Sequence, residues 1–415
     1  MPAVRSRGVN VRKCLSACSA LIMASACASE SPKPTMDVAG MPWEGIVARS
    51  RGTVVRWRMW RGDPSINSYI DQWVAPRLFR DYGITLQTMD GQGAEIVNQL
   101  VVEREAHATG STDLVWINGD TFRNLRKERL LWGPWAQRLP NAAFVDSGSP
   151  TIMRDFEQPL GGMESPWGRV QLALIYDTSK VAEPPRTVAE LAKWIRAHPG
   201  RFTHDQEFTG MTFLKSVMYA LSGGAGAFQN GFDERRYRRG SERLWSWLDS
   251  VRPSFWRRGT TYPAGVADLH RLFANGEIAF TMSYNQNEVV TKVRQGILPT
   301  TSRALVLRDA SIANSHYLGI PVSARNPAGA IVVANFLLSP AAQFEKSRPE
   351  VWADGTVLDP HKLPSEWSAR FSAIGSDPHA APVDTLARYA QPEIAPEYQE
   401  RLMSDWRSRI RARVE

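Results

Sequence analysis

Trp167-Gly-Arg-Val-Gln-Leu-Ala-Leu-Ile-Tyr-Asp-Thr-Ser-Lys180 decides how the rest of the chain is read. Val170 to Tyr176 is almost unbroken apolar sequence closed by Asp177, Thr178 and Ser179, which suits a strand buried on both faces. Pro166 and Gly168 reset the backbone just before it. It is either an ordinary core strand or the strand that carries the chain from one α/β unit into another. The flanking sequence bears on that choice.

Upstream, Thr53–Trp60 reads as a first strand, ended by Arg61-Gly-Asp-Pro64. Asp63 as N-cap and Pro64 at the first helical position open a helix with Ile66, Tyr69, Ile70, Trp73 and Val74 on one face. Pro76 should kink it and Gly83 should close it. A second strand over Ile84–Met89 and a third over Asp113–Ile117 each lead through glycine-bearing loops into further helices. This β-loop-α alternation predicts an open, largely parallel sheet, with ligands at the carboxyl ends of its strands, here the loops 60–63, 90–94 and 117–121.

Downstream, Thr187-Val-Ala-Glu190 is a capping box and His198-Pro-Gly200 a stop. Helices follow through Leu214 to Leu221, over Ser241–Val251 and over 266–274. A strand over Ile278–Met282, an apolar return segment Tyr317–Val322, a helix Ala328–Ser339 and a tail helix with Leu402, Trp406 and Ile410 complete the pattern. The Gly223–Gly226 run is a loop and not a phosphate cradle, because no Lys-Ser/Thr follows it.

The first 26 residues read as an export signal. Arg5, Arg7, Arg12 and Lys13 precede the apolar stretch Leu15–Met23, and Ala24-Ser-Ala26 offers a cleavage site. Cys27 then completes either a lipoprotein box or a plain cleavage junction. With cysteines only at 14, 18 and 27, the processed chain retains at most one, which excludes an internal disulfide or a cysteine-based metal site. Residues 27–50 read as a tether. Without the four basic leader residues the balance is 46 basic to 42 acidic, so the formal charge of +8 overstates the basicity of the working protein. The cluster Arg235-Arg-Tyr-Arg-Arg239 reads as a solvated loop rather than a phosphate-binding, nucleic-acid footprint.

Five segments, in this order, resemble the extracellular solute-binding proteins of bacterial ABC importers, the group with maltodextrin-, polyamine-, thiamine- and iron-binding members. They are Pro-Trp-Gly…Leu-Ile-Tyr-Asp-Thr-Ser-Lys-Val (166–181), Pro-Arg-Thr-Val-Ala-Glu-Leu-Ala-Lys-Trp (185–194), Phe-Thr-Gly-Met-Thr-Phe (208–213), Leu-Phe-Ala-Asn-Gly-Glu-Ile-Ala-Phe (272–280) and Ile-Pro-Val-Ser-Ala-Arg-Asn-Pro-Ala-Gly-Ala through Ala-Asn-Phe-Leu-Leu-Ser-Pro-Ala-Ala-Gln (320–343). The resemblance implies an α/β, type II periplasmic-binding fold: two α/β lobes joined by crossover strands, with the ligand in the cleft between them. It places 53–170 and 306–345 in lobe 1, and 171–305 and 346–415 in lobe 2. It implies a periplasmic monomer that captures a small solute and delivers it to inner-membrane permease subunits, without a cofactor or metal.

Candidate ligand contacts follow from strand ends and loops. Trp60, Gly62 and Asp63 lie at the first strand end, where Trp60 either packs or faces the cleft and Asp63 either caps or binds. Asn118 and Gly119 lie at another. In the second lobe Thr209 and Gly210 open a helix, and Trp256, Tyr262, Tyr284 and Asn285 fall in loops or strand ends. Asn314, His316 and Tyr317 precede the return strand. Fifteen tryptophans suit a sugar, a flat heterocycle or a cation, of which a thiamine-like or other cationic compound is the expected solute. The seven histidines show no metal-ligand spacing, and no Tyr-Tyr pair occurs. A secreted carbohydrate-active hydrolase is the rival class. No Gly-x-Ser-x-Gly or His-Glu-x-x-His is present, which leaves carboxylates such as Asp113, Asp205, Glu207 and Glu288 as the only catalytic candidates. A binding protein serving a sensor would share this sequence.

Overall fold

The computed structural model describes residues 38–374 and 377–411, so the export signal 1–26 and Cys27 lie outside the described residues. Its strands are β1 (Val54–Met59), β2 (Thr85–Asp90), β3 (Leu114–Ile117), β4 (Arg154–Asp155), β5 (Gln158–Pro159), β6 (Glu164–Gln171), β7 (Ala173–Asp177), β8 (Phe280–Ser283), β9 (Ser302–Leu305), β10 (Ile312–Gly319) and β11 (Gln391–Pro392). Two sheets carry the fold. The first runs β11-β10-β3-β1-β2, with β6 also paired to β10; the second runs β8-β7-β9. β1 is parallel to β2 and β3, as the alternation predicts, while β10 lies antiparallel to β3 and β6. In the second sheet β7 is antiparallel to both neighbours.

The pivot stretch is therefore two strands in two sheets. Its pairing with β10 ends at Gln171↔Ala313, and its pairing with β8 begins at Ala173↔Ser283. Leu172 between them donates its N–H to Ile312 O at 2.8 Å. Ile312 is where the chain returns, seven residues after β9 ends at Leu305 in the second sheet. The outgoing and returning strands thus pair with each other where the lobes join. Nearly every residue of the stretch is buried, which explains why no polar alternation marks it.

Each lobe has its own core. Val55, Trp57, Met59, Leu114, Trp167 and Leu318 lie in the first, and Leu174, Leu214, Phe280, Leu305 and Trp406 in the second. A smaller cluster of Ile96, Leu100, Phe122 and Tyr317 covers the other face of the first sheet. Much of the tryptophan content is core: Trp167 meets Trp57, Trp116 and Trp352 with ring centroids 5.4, 4.9 and 5.5 Å apart.

Five segments differ from the sequence reading. The return strand β10 begins at Ile312, so Asn314, His316 and Tyr317 lie within it and do not precede it. The basic cluster at 235–239 lies in the helix Glu234–Val251 and not in a loop. The expected tether contains a helix, Trp43–Ser50, and Val38 and Ile46 are buried in the first core. Its apolar positions are too few to announce a helix by period, but they pack on the helix Pro327–Leu337. Residues beyond 345 also stay with lobe 1 at first, since Trp352, Val357, Leu358 and Leu363 join its core. The crossing to lobe 2 comes later, where Ala381, Ile394 and Tyr398 join the other. Finally, the helix after Asp63 does not simply kink at Pro76. Tyr69–Val74 winds as a π-helix between two α-helical pieces. The wider turn lets the backbone absorb a proline that supplies no N–H and would crowd the preceding carbonyl.

Two polar side chains, the buried Asp113 and the half-buried Asn326, fix the first lobe's elements to one another. Asp113 accepts from the N–H groups of Arg56 (2.9 Å) and Asn326 (2.8 Å). Asn326 caps the helix Pro327–Leu337 through Gly329 N–H and donates to Val54 O. Asp113→Ala leaves two buried N–H donors unpartnered, and is expected to cost about 2–4 kcal/mol. The check is a urea titration, in which the midpoint should fall at unchanged m-value.

Candidate functional site

β3 ends in a turn at Gly119, whose φ of +56° aims its N–H at Asp155 Oδ2, 2.5 Å away. The space beside Gly119 is filled by Phe156, whose ring would lie 2.8 Å from any Cβ built there. Phe156 belongs to the β4–β5 hairpin, where Arg154 and Asp155 face Pro159 and Gln158. The two turn residues, Phe156 and Glu157, have φ of +46° and +66°. Positive φ at both positions is what a two-residue hairpin turn with the right twist needs. For residues other than glycine such backbone costs of order 1–3 kcal/mol each, so the surroundings must hold it in place.

They do so across the lobes. The Phe156 ring, 1 % exposed, lies under the Lys215 ammonium, 4.5 Å from ring centroid to Nζ. Glu157 accepts from the N–H groups of Asn230 and Gly231, both at 3.0 Å. Lys215 projects from the helix Phe208–Ala220 of lobe 2 and is fully buried. Its Nζ sits 2.5 Å from Glu393 Oε2, while Glu393 Oε1 accepts from Tyr284 OH at 2.8 Å. Glu393 directly follows β11, the strand that pairs with β10 beside the lobe junction.

The cluster is unbalanced in charge and in hydrogen bonds. Burial pushes the Asp155 carboxyl well above the usual carboxylate range; the Gly119 N–H opposes this and Glu393 adds to it. Asp155 Oδ1 and Asn314 Nδ2 form no hydrogen bond of ordinary geometry among the described residues, although the Asn314 amide lies close enough to oppose the rise of Asp155. Beneath them Glu164 is buried with both oxygens unpartnered, and desolvation raises it strongly as well. Asp120 is raised by burial and by Glu400. Burial lowers Lys215 even though Glu393 works the other way. Polar atoms buried without partners are rare in folded proteins, and several of those in this protein lie near the junction of the two lobes.

Other ties cross the same junction. Asp63 caps the helix Pro64–Ser68 by accepting from Ser65 N–H at 2.7 Å, and its second oxygen meets Lys292 of lobe 2 at 2.5 Å. Both roles proposed for Asp63 are thus filled by protein groups. Gln295 donates to Ser65 Oγ at 3.0 Å, and Arg123 lies between Glu397 (3.2 Å) and Glu400.

Of the residues singled out in sequence, the structure gathers Gly119, Tyr284 and Asn314 at this cluster. Trp60 lies half-buried across Gly62, where a Cβ would meet its ring at 2.5 Å, and packs on the first core. Asn118 accepts from Thr121 N–H through its carbonyl at the adjoining turn. Thr209 and Gly210 lie in the first turn of their helix, where Asp205 already takes the Gly210 N–H at 3.1 Å. Trp256 bonds Glu277 through Nε1, and Tyr262 packs on His204 and Trp406; both line the second core. Asn285 closes an Asx turn on Asn287 N–H. His316 stacks on Trp352 (centroids 5.9 Å apart) and faces Asp354, and Tyr317 OH donates to Arg154 O at 3.0 Å. The carboxylates weighed for hydrolysis are dispersed in role: Asp113 and Asp205 bind backbone, and Glu288 pairs with His270 and Lys292.

Asp155, Phe156, Glu157, Lys215 and Glu393 escape a reading by motif. Phe-Glu carries no turn signature. Lys215 alone gives a signal, as the single charge in the otherwise uncharged helix Phe208–Ala220.

Comparison with known proteins agrees with this architecture. The family model for bacterial extracellular solute-binding proteins matches residues 77–369. Protein YnjB of Escherichia coli strain K12 is 35% identical over 357 residues, covering 83% of this chain and 92% of that protein. Among solved structures, the spermidine/putrescine ABC transporter substrate-binding protein PotD of Streptococcus pneumoniae shares the fold with a TM-score of 0.62 at 16% identity, covering 87% of this chain and 99% of its own. AfuA of Actinobacillus pleuropneumoniae, solved with fructose-6-phosphate bound, gives 0.58 at 14% identity, covering 86% and 99%. Two α/β lobes joined by paired crossover strands, a polar cluster at their junction and a family match over most of the folded chain lead to one conclusion: this chain belongs to the bacterial extracellular solute-binding proteins.

Proposed function

We propose that the chain captures a small organic cation between its lobes and delivers it to an inner-membrane permease. The observation that carries this reading is the surplus of acidic groups at the junction. Asp120, Asp155 and Glu393 all lie near one lysine, which among the described residues pairs only with Glu393. A cation there would offset the burial that raises Asp155, and it would find aromatic rings at Phe156 and Tyr284. A thiamine-like compound or another cation that stacks on aromatic rings fits that description. PotD is named for spermidine and putrescine, which are cations too. Gly119, Asn314 and Tyr284 would contact the solute directly, with Trp60 and Asn118 at the neighbouring strand ends.

The mechanism is closure. The lobes would rotate about the paired strands β6 and β10, and the solute would favour the closed form only through contacts it makes with both lobes. The family implies a periplasmic location and permease partners. Export through the leader 1–26, Cys27 as either a lipidated N-terminus or a cleavage junction, and action as a monomer belong to the same proposal.

A thermal-shift panel tests it. Organic cations such as thiamine and putrescine should raise the melting temperature, whereas neutral sugars and organic anions should not; a ligand at about 100 times its Kd adds about 2.7 kcal/mol. Tyr284→Phe removes the donor to Glu393 and should weaken the responding cation about tenfold, in line with a lost hydrogen bond to a charged group. A shift produced by anions or sugars alone would contradict the proposal.

A further inference from the structure

We infer that the β4–β5 hairpin is a finger of lobe 1 that positions and holds the closed state, with Glu157 as its latch. Three consecutive residues face three different ways. Asp155 turns back to Gly119 of its own lobe, Phe156 lies under Lys215 of the other, and Glu157 reaches the backbone of Asn230 and Gly231. The Glu157 carboxylate takes one N–H on each oxygen, both at 3.0 Å, so it engages lobe 2 by a bidentate contact that needs one interlobe geometry. Asn230 and Gly231 both have positive φ, +70° and +83°, which points two successive N–H groups the same way and forms a small anion-binding concavity. The finger itself is strained at Phe156 and Glu157, and such strain persists where surrounding contacts enforce it. In an open form the contacts with lobe 2 are absent, so the finger's conformation and lobe closure support each other.

This inference concerns closure and holds whichever solute is bound. Electron–electron distance measurement on the full chain, with Cys14, Cys18 and Cys27 replaced by Ser and spin labels at Lys127→Cys and Glu242→Cys, tests it without a ligand. Both label positions are exposed, one on each lobe. The parent protein should show a short-distance closed population. Glu157→Ala should lower the closed-to-open ratio about tenfold, with the melting temperature unchanged. Glu157→Gln, which keeps one acceptor oxygen, should fall between them. Glu157→Gly relieves the backbone strain while removing the carboxylate, and it should open the protein as far as Glu157→Ala does. The inference is overturned if Glu157→Ala leaves the distance distribution as in the parent. It is equally overturned if Glu157→Gly stays as closed as the parent, since the backbone turn and not the carboxylate would then hold the lobes.

Discussion

Asp354→Ala is expected to lower the melting temperature of the ligand-free protein by about 10 °C, the largest stability effect of any single substitution considered. Asp354 and Lys346 are both fully buried, with Nζ 2.7 Å from Oδ2. Lys346 also donates to Gly355 O at 2.5 Å, and the other Asp354 oxygen faces His316 Nε2 at 3.3 Å. Removing one partner of a buried pair strands the other charge, which costs about 3–5 kcal/mol. At roughly 2–4 °C per kcal/mol for a chain of this class, the shift is close to 10 °C. Pairing Asp354→Ala with Lys346→Met removes both charges and should recover most of the loss, because a buried ion pair is seldom better than apolar packing of similar volume. Burial alone would raise the Asp354 carboxyl, but Lys346 and His316 override it and hold it below the usual range. A depressed carboxyl stabilises the fold above its unfolded pKa of about 3.9, and that stability is lost as pH falls through the folded value. The gap between wild type and Asp354→Ala, measured by calorimetry, should therefore close below about pH 4. A gap that is flat with pH would contradict the role given to this pair.

Asp155→Asn is expected to give the largest loss of binding, about 100-fold for an organic cation at neutral pH, the scale of a lost buried charge contact. Its pH dependence is more diagnostic than its size. Asp155 is raised by burial in the empty site, and a cation beside it would lower it again. Binding then releases a proton. Affinity should climb with pH up to the empty-site pKa and level off above it, with a slope approaching tenfold per pH unit on the acid side. Asn cannot ionise, so the slope should vanish. The sign for stability is the reverse. A carboxyl raised in the folded state supports the fold at low pH and loses that support as pH rises from its unfolded value towards its folded one. Asp155→Asn should thus leave the empty protein as stable as wild type in acid and more stable above neutrality. Titration calorimetry from pH 5.5 to 8 reads the affinity, and thermal melts from about pH 3 to 8, spanning the unfolded carboxyl pKa of about 3.9, read the stability. An unchanged pH slope in the variant would remove Asp155 from the site.

The fold was legible where burial is uniform and local signals are strong. Val170–Tyr176 announces a doubly buried strand, Asp63-Pro64 and Thr187–Glu190 announce helix starts, and Gly83 adopts the left-handed cap expected of it. What period and capping cannot show is long-range pairing. That Leu172 bonds Ile312, or that residues 346–373 remain on lobe 1, depends on partners far away in the chain. The site was legible only in part, for the same reason. Gly119 sits just beyond the end of β3, where an open α/β sheet nominates a site by topology, whereas Asn314 lies inside β10. Asp155, Phe156 and Glu157 come from a short hairpin whose turn violates ordinary preference, and Glu393 comes from the far end of the chain. Their meeting with Lys215 joins distant parts of the chain, and no spacing encodes it. Aromatic residues misled in a different way. Trp256 and Tyr262 look like loop aromatics free to stack on a solute, yet they complete the second core.

The central claim is that the junction of the lobes holds a cation against Asp155. Native mass spectrometry of the protein released gently from its producing cell tests this most directly, with tandem fragmentation to identify whatever is bound. The account predicts an added mass of a few hundred daltons, the size class such a cleft encloses, lost on denaturation, identified as an organic cation and missing from Asp155→Asn. A bound anion or neutral sugar, or a cation retained equally by Asp155→Asn, would contradict it.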